Sequence, residues 1–293
     1  MFQGAYSPER RRTIRIKRSE LLKWRLDEID RPAVKIAGEI DEYQQAFSLV
    51  HDTYLRMRYL NTPKPHGMLF GTHTLLPQTV IFVAKSYLTV ISSLTEIFDT
   101  EQFGLPMDEL YQKELDGLRS EGRKIVELSA LVTPANTRWI NVFMFISKVA
   151  YLYSLDRGVN DVCIAVNPRH VRFYKHILLF EELGPQRYYP RVNAPAVALR
   201  VNMDRYKEKL KSAYDGLDFD CNLHAYFHEE AGFRASEKTW AVLPGEDSPG
   251  NGNSYWTPEN IKHFLLLEKS IPDGLSGSQK EFLLNSYPGL TGL

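Results

Sequence analysis

Cysteine is nearly absent: Cys163 and Cys221 are the only two in 293 residues, far apart and outside any C-x-x-C pattern. That excludes a disulfide framework and a cysteine-based zinc site, and it fits a reducing compartment. Net charge is also missing, since 36 basic residues balance 36 acidic ones, so no global field calls for nucleic acid or a membrane surface as partner. No long apolar run occurs. The longest, Val142 to Tyr153, is interrupted by Ser147 and Lys148, and no apolar segment follows the N-terminal basic residues, so neither a transmembrane span nor a secretion signal is expected and the cytoplasm is the expected location. There is no G-x-S-x-G elbow and no Walker lysine, which removes the commonest hydrolase and nucleotide-hydrolase readings. His224 and His228 stand four apart but lack the intervening glutamate of the zinc proteases, so they read as a polar helix face and no metal site is expected.

What is present is a 43% hydrophobic chain long enough to bury a large core. Arg10, Arg11, Arg12, Arg15, Lys17, Arg18, Lys23 and Arg25, opposed by Glu20 alone, make residues 1–32 a basic arm, read either as a solvated tail or as a docking surface for an acidic protein. Ala33 to Ala37 reads as a strand, and Tyr43, Ala46, Phe47, Val50 and Tyr54 then recur at helical spacing. Asn61 to Gln78, with three prolines and two glycines, reads as a long loop, either a lid or disordered. Thr79 to Tyr87 and Leu88 to Phe98 are β-branched and aromatic and close enough to pair as antiparallel neighbours. A helix from Met107 to about Leu118 comes next. Lys124 to Val132 alternates, placing Ile125, Glu127, Ser129 and Leu131 on one face and Val126, Leu128, Ala130 and Val132 on the other.

Trp139 to about Arg157 is an apolar helix, Asp161 to Val166 a buried strand, and Asn167-Pro168 a cap and first-turn proline launching a short helix. Two strands, Phe180 to Tyr189 and Ala194 to Val201, close the pattern around a turn that contains Pro190 and Pro195. The domain reading is a catalytic unit over 33–203 and a mostly helical extension over 204–293, with a Gly-, Pro- and Ser-rich linker near 244–254.

The order of elements, together with the Asn-capped segment Asn167-Pro168-Arg169-His170-Val171-Arg172-Phe173-Tyr174, resembles the GNAT acyltransferases. Val90-Ile91-Ser92-Ser93-Leu94 running into Gly104-Leu105-Pro106-Met107, and Val126-Glu127-Leu128-Ser129, resemble the bacterial N-acyl amino acid synthases and, more distantly, the acyl-homoserine-lactone synthases. The likeness spans roughly Val34 to Asn202. It implies an α/β (α+β) fold, a mixed and mostly antiparallel sheet flanked by helices, and N-acyl transfer from a thioester to a small amine. Typical GNAT enzymes carry a Q/R-x-x-G-x-G/A loop whose bare amides cradle the CoA pyrophosphate. Here Thr133-Pro134-Ala135-Asn136-Thr137-Arg138-Trp139 has no glycine. The expected co-substrate is therefore acyl-phosphopantetheine on an acyl carrier protein, with no permanently bound cofactor; CoA-dependent N-acetyl transfer and a catalytically inactive sensor of carrier protein or lipid are the alternatives.

Within this reading Glu127 is the candidate base, or else a partner for Arg56 or Arg58, and Tyr174 is the candidate acid for the leaving thiolate, or else a core aromatic. Backbone amides near Leu131 and Val132 are expected to polarise the carbonyl. Arg56 and Arg58 are candidates to hold an acceptor carboxylate, or else solvated helix-end arginines. Ser129, Trp139 and Asn167 complete the expected substrate-binding set. Arg138 and Lys148, with Arg157 and the basic arm, are expected to face the carrier.

Overall fold

The computed structural model describes residues 33–133, 139–228 and 255–290. One seven-stranded sheet runs in the order β1-β2-β3-β4-β5-β7-β6. Its strands are β1 (Ala33–Ile36), β2 (Val80–Ser86), β3 (Thr89–Phe98), β4 (Ile125–Val132), β5 (Asp161–Val166), β6 (Glu181–Tyr189) and β7 (Ala194–Asn202). Every pairing is antiparallel except β4 with β5. A parallel pair needs a crossover, and here α3 (Trp139–Asp156) supplies it. This is the mixed, mostly antiparallel sheet that the sequence implied.

Both faces are covered, which is why β2 buries five consecutive residues instead of alternating. Against one face lie α1 (Ile40–Arg56) and α2 (Asp108–Ser120), the first through Tyr43 and Phe47 over Ile81 and Val83, the second through Tyr111 and Leu115 beside Ile125 and Cys163. Against the other lie α3 and α4 (Pro168–His176), followed by α5 (Met203–Tyr214) and α6 (Leu223–His228), over Phe82, Leu94, Val126 and Leu199. Asn167 caps α4 as its sequence foretold, its side chain accepting from the Arg169 amide at 3.2 Å. No helix among the described residues is long and apolar enough to cross a membrane.

The C-terminal extension shares these cores. On the α1 face sit α7 (Pro258–Leu267), the short α8 (Ser270–Gly274) and α9 (Gly277–Ser286). Trp256 stacks on Tyr43 with centroids 4.0 Å apart, and Phe264 meets Phe47 and Phe70 edge-on at 5.1 Å each. On the opposite face the hydroxyls of Tyr206 and Tyr214 donate to the carbonyls of Leu178 and Ile177. The described parts of α5 to α9 are therefore built onto the sheet. The linker near 244–254 and the basic arm lie outside the described residues.

The segment 61–78, read from sequence as a long loop, is packed in place by its apolar residues. Met68, Leu75 and Leu76 are buried beneath α7 and α9, the Leu69 amide donates to the Phe47 carbonyl, and the Tyr287 hydroxyl donates to the Leu75 carbonyl. Its prolines and glycines hide an apolar triplet that finds its cover some two hundred residues away in sequence. A second surprise is Glu96 on β3, fully buried beneath α3, where Ser154 Oγ donates to one carboxyl oxygen at 2.9 Å and the other has no hydrogen bond. Burial pushes its pKa up to about 8.

Phe264→Ala should lower unfolding stability by about 3–5 kcal/mol in urea titrations, because the cavity opens between α1 and α7. The raised pKa of Glu96 has a definite sign. The unfolded chain ionises it near the ordinary carboxylate value, whereas the folded chain holds the proton up to about pH 8, so its contribution declines between those limits. Glu96→Gln should thus gain on the wild type in thermal midpoint by on the order of several degrees between about pH 5 and pH 8; a constant difference across that window would refute the assignment.

Candidate active site

Strands β4 and β5 are paired only at Ile125 with Asp161, Val126 with Val162 and Glu127 with Cys163. Beyond Glu127, β4 stays with β3 and β5 stays with β7, so the two strands part and leave a gap in the middle of the sheet. The register between β3 and β4 slips by one residue between Ser93 and Thr95, and Ala130 stands at φ 51. That is a β-bulge beside the opening. It overturns the expected alternation: Leu131 joins Leu128 and Val126 on the α3 face, while Ile125 stays on the α2 face. A regular two-residue period cannot survive the extra residue.

Glu127 sits where the strands begin to separate, 3% exposed, with its carboxylate accepting from the Met107 amide at 2.8 Å. Burial raises its pKa to about 8, with Asp108 pushing the same way and the Met107 hydrogen bond and Arg191 opposing. The donor amide is held by its own support. Arg119 donates to both Asp99 and Asp108, and Asp108 accepts from the Leu105 amide at 2.6 Å. Gly104 turns this loop at φ +59, where a Cβ would stand 2.4 Å from Asp108 Oδ2. Gly104-Leu105-Pro106-Met107 is thus the segment that delivers one backbone N–H to one buried carboxylate.

Two tyrosines complete the surroundings of Glu127. The Tyr54 hydroxyl is pushed up to about 12 by burial, with Tyr59 and Glu127 adding to it. Tyr189 is raised by burial and by Glu127, and its hydroxyl donates to the Pro106 carbonyl at 3.1 Å. The Cys163 thiol, buried opposite Glu127, is pushed well up by burial and by nearby carboxylates, which makes it an inert core group.

Tyr174 lies on the other face of the sheet, on α4, with Phe143, Phe173 and Phe180 edge-on around it. Its hydroxyl has no hydrogen-bond partner among the described residues, and burial raises its pKa. Leu128, Leu131, Val166, Val171 and Phe173 are apolar side chains of this region that are only partly buried. Glu127 and Tyr174 therefore stand on opposite faces of the sheet, near the point where β4 and β5 stop pairing.

The remaining sequence candidates are placed as follows. Ser129 is half-buried on β4 opposite Thr95, and Asn167 serves as the α4 cap. Trp139 opens α3, and Arg138 lies outside the described residues. Arg56 and Arg58 are exposed at the end of α1 and neither pairs with Glu127; Arg56 donates to Thr53 instead. Lys148 is a correction. It is 4% exposed and donates to the Tyr226 carbonyl at 2.6 Å, because α6 folds over this part of α3, so it offers no charge to a carrier. The Met107 amide, Tyr54, Tyr189 and Arg191 were not assigned from sequence; the Gly104–Met107 motif was the one available signal for the first of them.

The family model for the N-acyl amino acid synthase FeeM matches residues 45–202. Among solved structures, FeeM, an N-acyl amino acid synthase from uncultured soil microbes, is 26% identical with a TM-score of 0.54, covering 62% of this chain and 95% of its own. BjaI, a CoA-dependent acyl-homoserine lactone synthase, is 18% identical with a TM-score of 0.49, over 63% of this chain and 88% of its own. An acyl-CoA N-acyltransferase from Pseudomonas aeruginosa is 12% identical with a TM-score of 0.39, over 57% of this chain and 97% of its own. No curated protein matches. The matched span runs from α1 through β7 and contains the parting strands, Glu127 and the loop that supports it; the chain belongs to the FeeM family of N-acyl amino acid synthases and is an acyltransferase.

Proposed function

We propose that this chain passes a long-chain acyl group from an acyl carrier protein to the amine of an amino acid, by direct attack of the amine on the thioester carbonyl. The observation that carries the reading is Glu127, a buried carboxylate of raised pKa placed where β4 and β5 separate. An acceptor arrives as an ammonium and must lose a proton before it is a nucleophile. The Glu127 carboxylate takes that proton, the nitrogen forms its bond to the carbonyl carbon, and the carbon–sulfur bond breaks. Unpaired backbone of β4 around the bulge polarises the carbonyl oxygen. Tyr174, kept protonated by burial, supplies the proton that the leaving thiolate needs, and the second proton that the acylated nitrogen sheds passes through solvent and restores the tyrosine.

A carrier protein as donor is supported by the glycine-free run Thr133 to Trp139, where a pyrophosphate loop would need bare backbone. Arg56, Arg58 and Arg169 are exposed near the end of the sheet where the gap opens, and Arg169 reaches the Tyr59 hydroxyl at 3.4 Å. They offer an acidic carrier the contacts that the buried Lys148 does not. The partly buried apolar side chains along the gap suit a hydrocarbon chain.

Mass spectrometry of lipid extracts from bacteria expressing the chain should reveal N-acyl amino acids that are missing when Glu127→Gln is expressed, and the purified enzyme should use acyl carrier protein thioesters in preference to acyl-CoA. Micromolar affinity for CoA by calorimetry would count against the carrier. Because Glu127 must be ionised, kcat/KM should rise with pH to a plateau above about pH 8. Glu127→Gln and Tyr174→Phe should each slow turnover by roughly ten- to a thousandfold without unfolding the protein. Wild-type rates in both would remove the assigned roles.

A further inference from the structure

The turn between β6 and β7 is fastened at several points to the segments that flank Glu127. Tyr189, the last residue of β6, donates to the Pro106 carbonyl at 3.1 Å, one residue before the amide that bonds Glu127. Arg191, in the turn Pro190–Val192, reaches Glu109 on the first turn of α2 at 3.1 Å, two residues after that amide. Asn193 touches Asn61, beyond the end of α1, at 3.5 Å. The Arg191 side chain nevertheless remains 58% exposed, and its partner carboxylate 36%. It is a guanidinium anchored at one edge of the site, with donors to spare.

We propose that Arg191 binds the carboxylate of the amino-acid acceptor, giving up Glu109 for the substrate as the substrate's amine comes to face Glu127. This rests on the amino-acid reading of the acceptor and names the group that enforces it. In any α-amino acid the amine nitrogen lies only about 2.5 Å from the carboxyl carbon. A cation that holds the carboxylate must therefore stand beside the base that takes the amine proton. Arg191 meets that condition through α2: Glu109, which holds it, and Met107, which holds Glu127, belong to the same helix start. The charge of Arg191 opposes the raised pKa of Glu127, and it is felt at His73 and Tyr189 as well. A planar guanidinium with a weakly held, solvent-exposed partner is suited to trade one carboxylate for another in bidentate fashion.

The test compares the standard amino acids with the amines that lack their carboxylates, using purified enzyme and a long-chain acyl carrier protein thioester as donor. The wild type should prefer the amino acids. Arg191→Ala should raise KM for the preferred amino acid by about ten- to a hundredfold, far more than it changes KM for its amine counterpart, Arg191→Lys should recover part of the loss, and Glu109→Gln should lower KM by freeing the guanidinium. Retention of the wild-type preference in Arg191→Ala overturns the assignment and leaves the amino-acid reading intact. An equal loss for acids and amines makes Arg191 a structural residue and also overturns it. A wild type that acylates amines without preference for the carboxylate defeats the amino-acid reading, and this inference with it.

Discussion

Strands β4 and β5 hold together over three residue pairs and then part, and the rest of the site is arranged around that parting. Parallel strands joined by a helix normally continue to pair as far as both extend. Here β4 is drawn toward β3 by a bulge at Ala130, and β5 is drawn toward β7 over its whole length. Each strand keeps its other neighbour, so the sheet survives while its centre opens. The parting leaves β4 and β5 without a shared ladder in the interior of a folded domain, which in most proteins would be a defect.

A carboxylate at such a place is expensive to bury, and the structure surrounds Glu127 with fixed dipoles more than with a counter-charge. One backbone amide bonds it directly, and the loop carrying that amide is locked by an arginine shared among three aspartates. The Met107 amide and Arg191 offset the effect of burial only in part, which leaves the pKa at about 8. Arg119, bonded to Asp99, Asp108 and Asp116, acts on Glu127 by fixing the geometry of that loop.

Much of the framework was legible in sequence because it rests on local chemistry. The β-branched and aromatic runs of β2 and β3, the Asn167-Pro168 cap and the long apolar helix α3 all fall where their residues place them. What escaped depends on partners distant in the chain. Lys148 reads as a polar break in an apolar helix, and only the return of α6 turns it into a buried donor to Tyr226. Leu75 and Leu76 read as part of a loop until α9 covers them. Ala130 gives no sign that it will adopt a left-handed backbone, since alanine is an ordinary strand residue, and so Leu131 was assigned to the wrong face. Glu127 stands out in sequence because a lone acid on an apolar strand is conspicuous, and the structure buries it; Arg191, in a proline-flanked turn, does not stand out.

The packing of α7 to α9 against α1 bears on how the protein is made. Tyr43 and Phe47 belong to the first helix of the sheet unit, yet the surfaces that bury them, Trp256, Phe264 and Tyr287, are translated more than two hundred residues later. At about 5–20 residues per second a ribosome needs tens of seconds to cover that distance. For the last part of that time, after β7 ends at Asn202, the nascent chain carries an unfinished apolar face while its β-strands are already complete. Folding of this acyltransferase is therefore tied to late synthesis, and its dependence on chaperones should be set by elongation rate as much as by sequence.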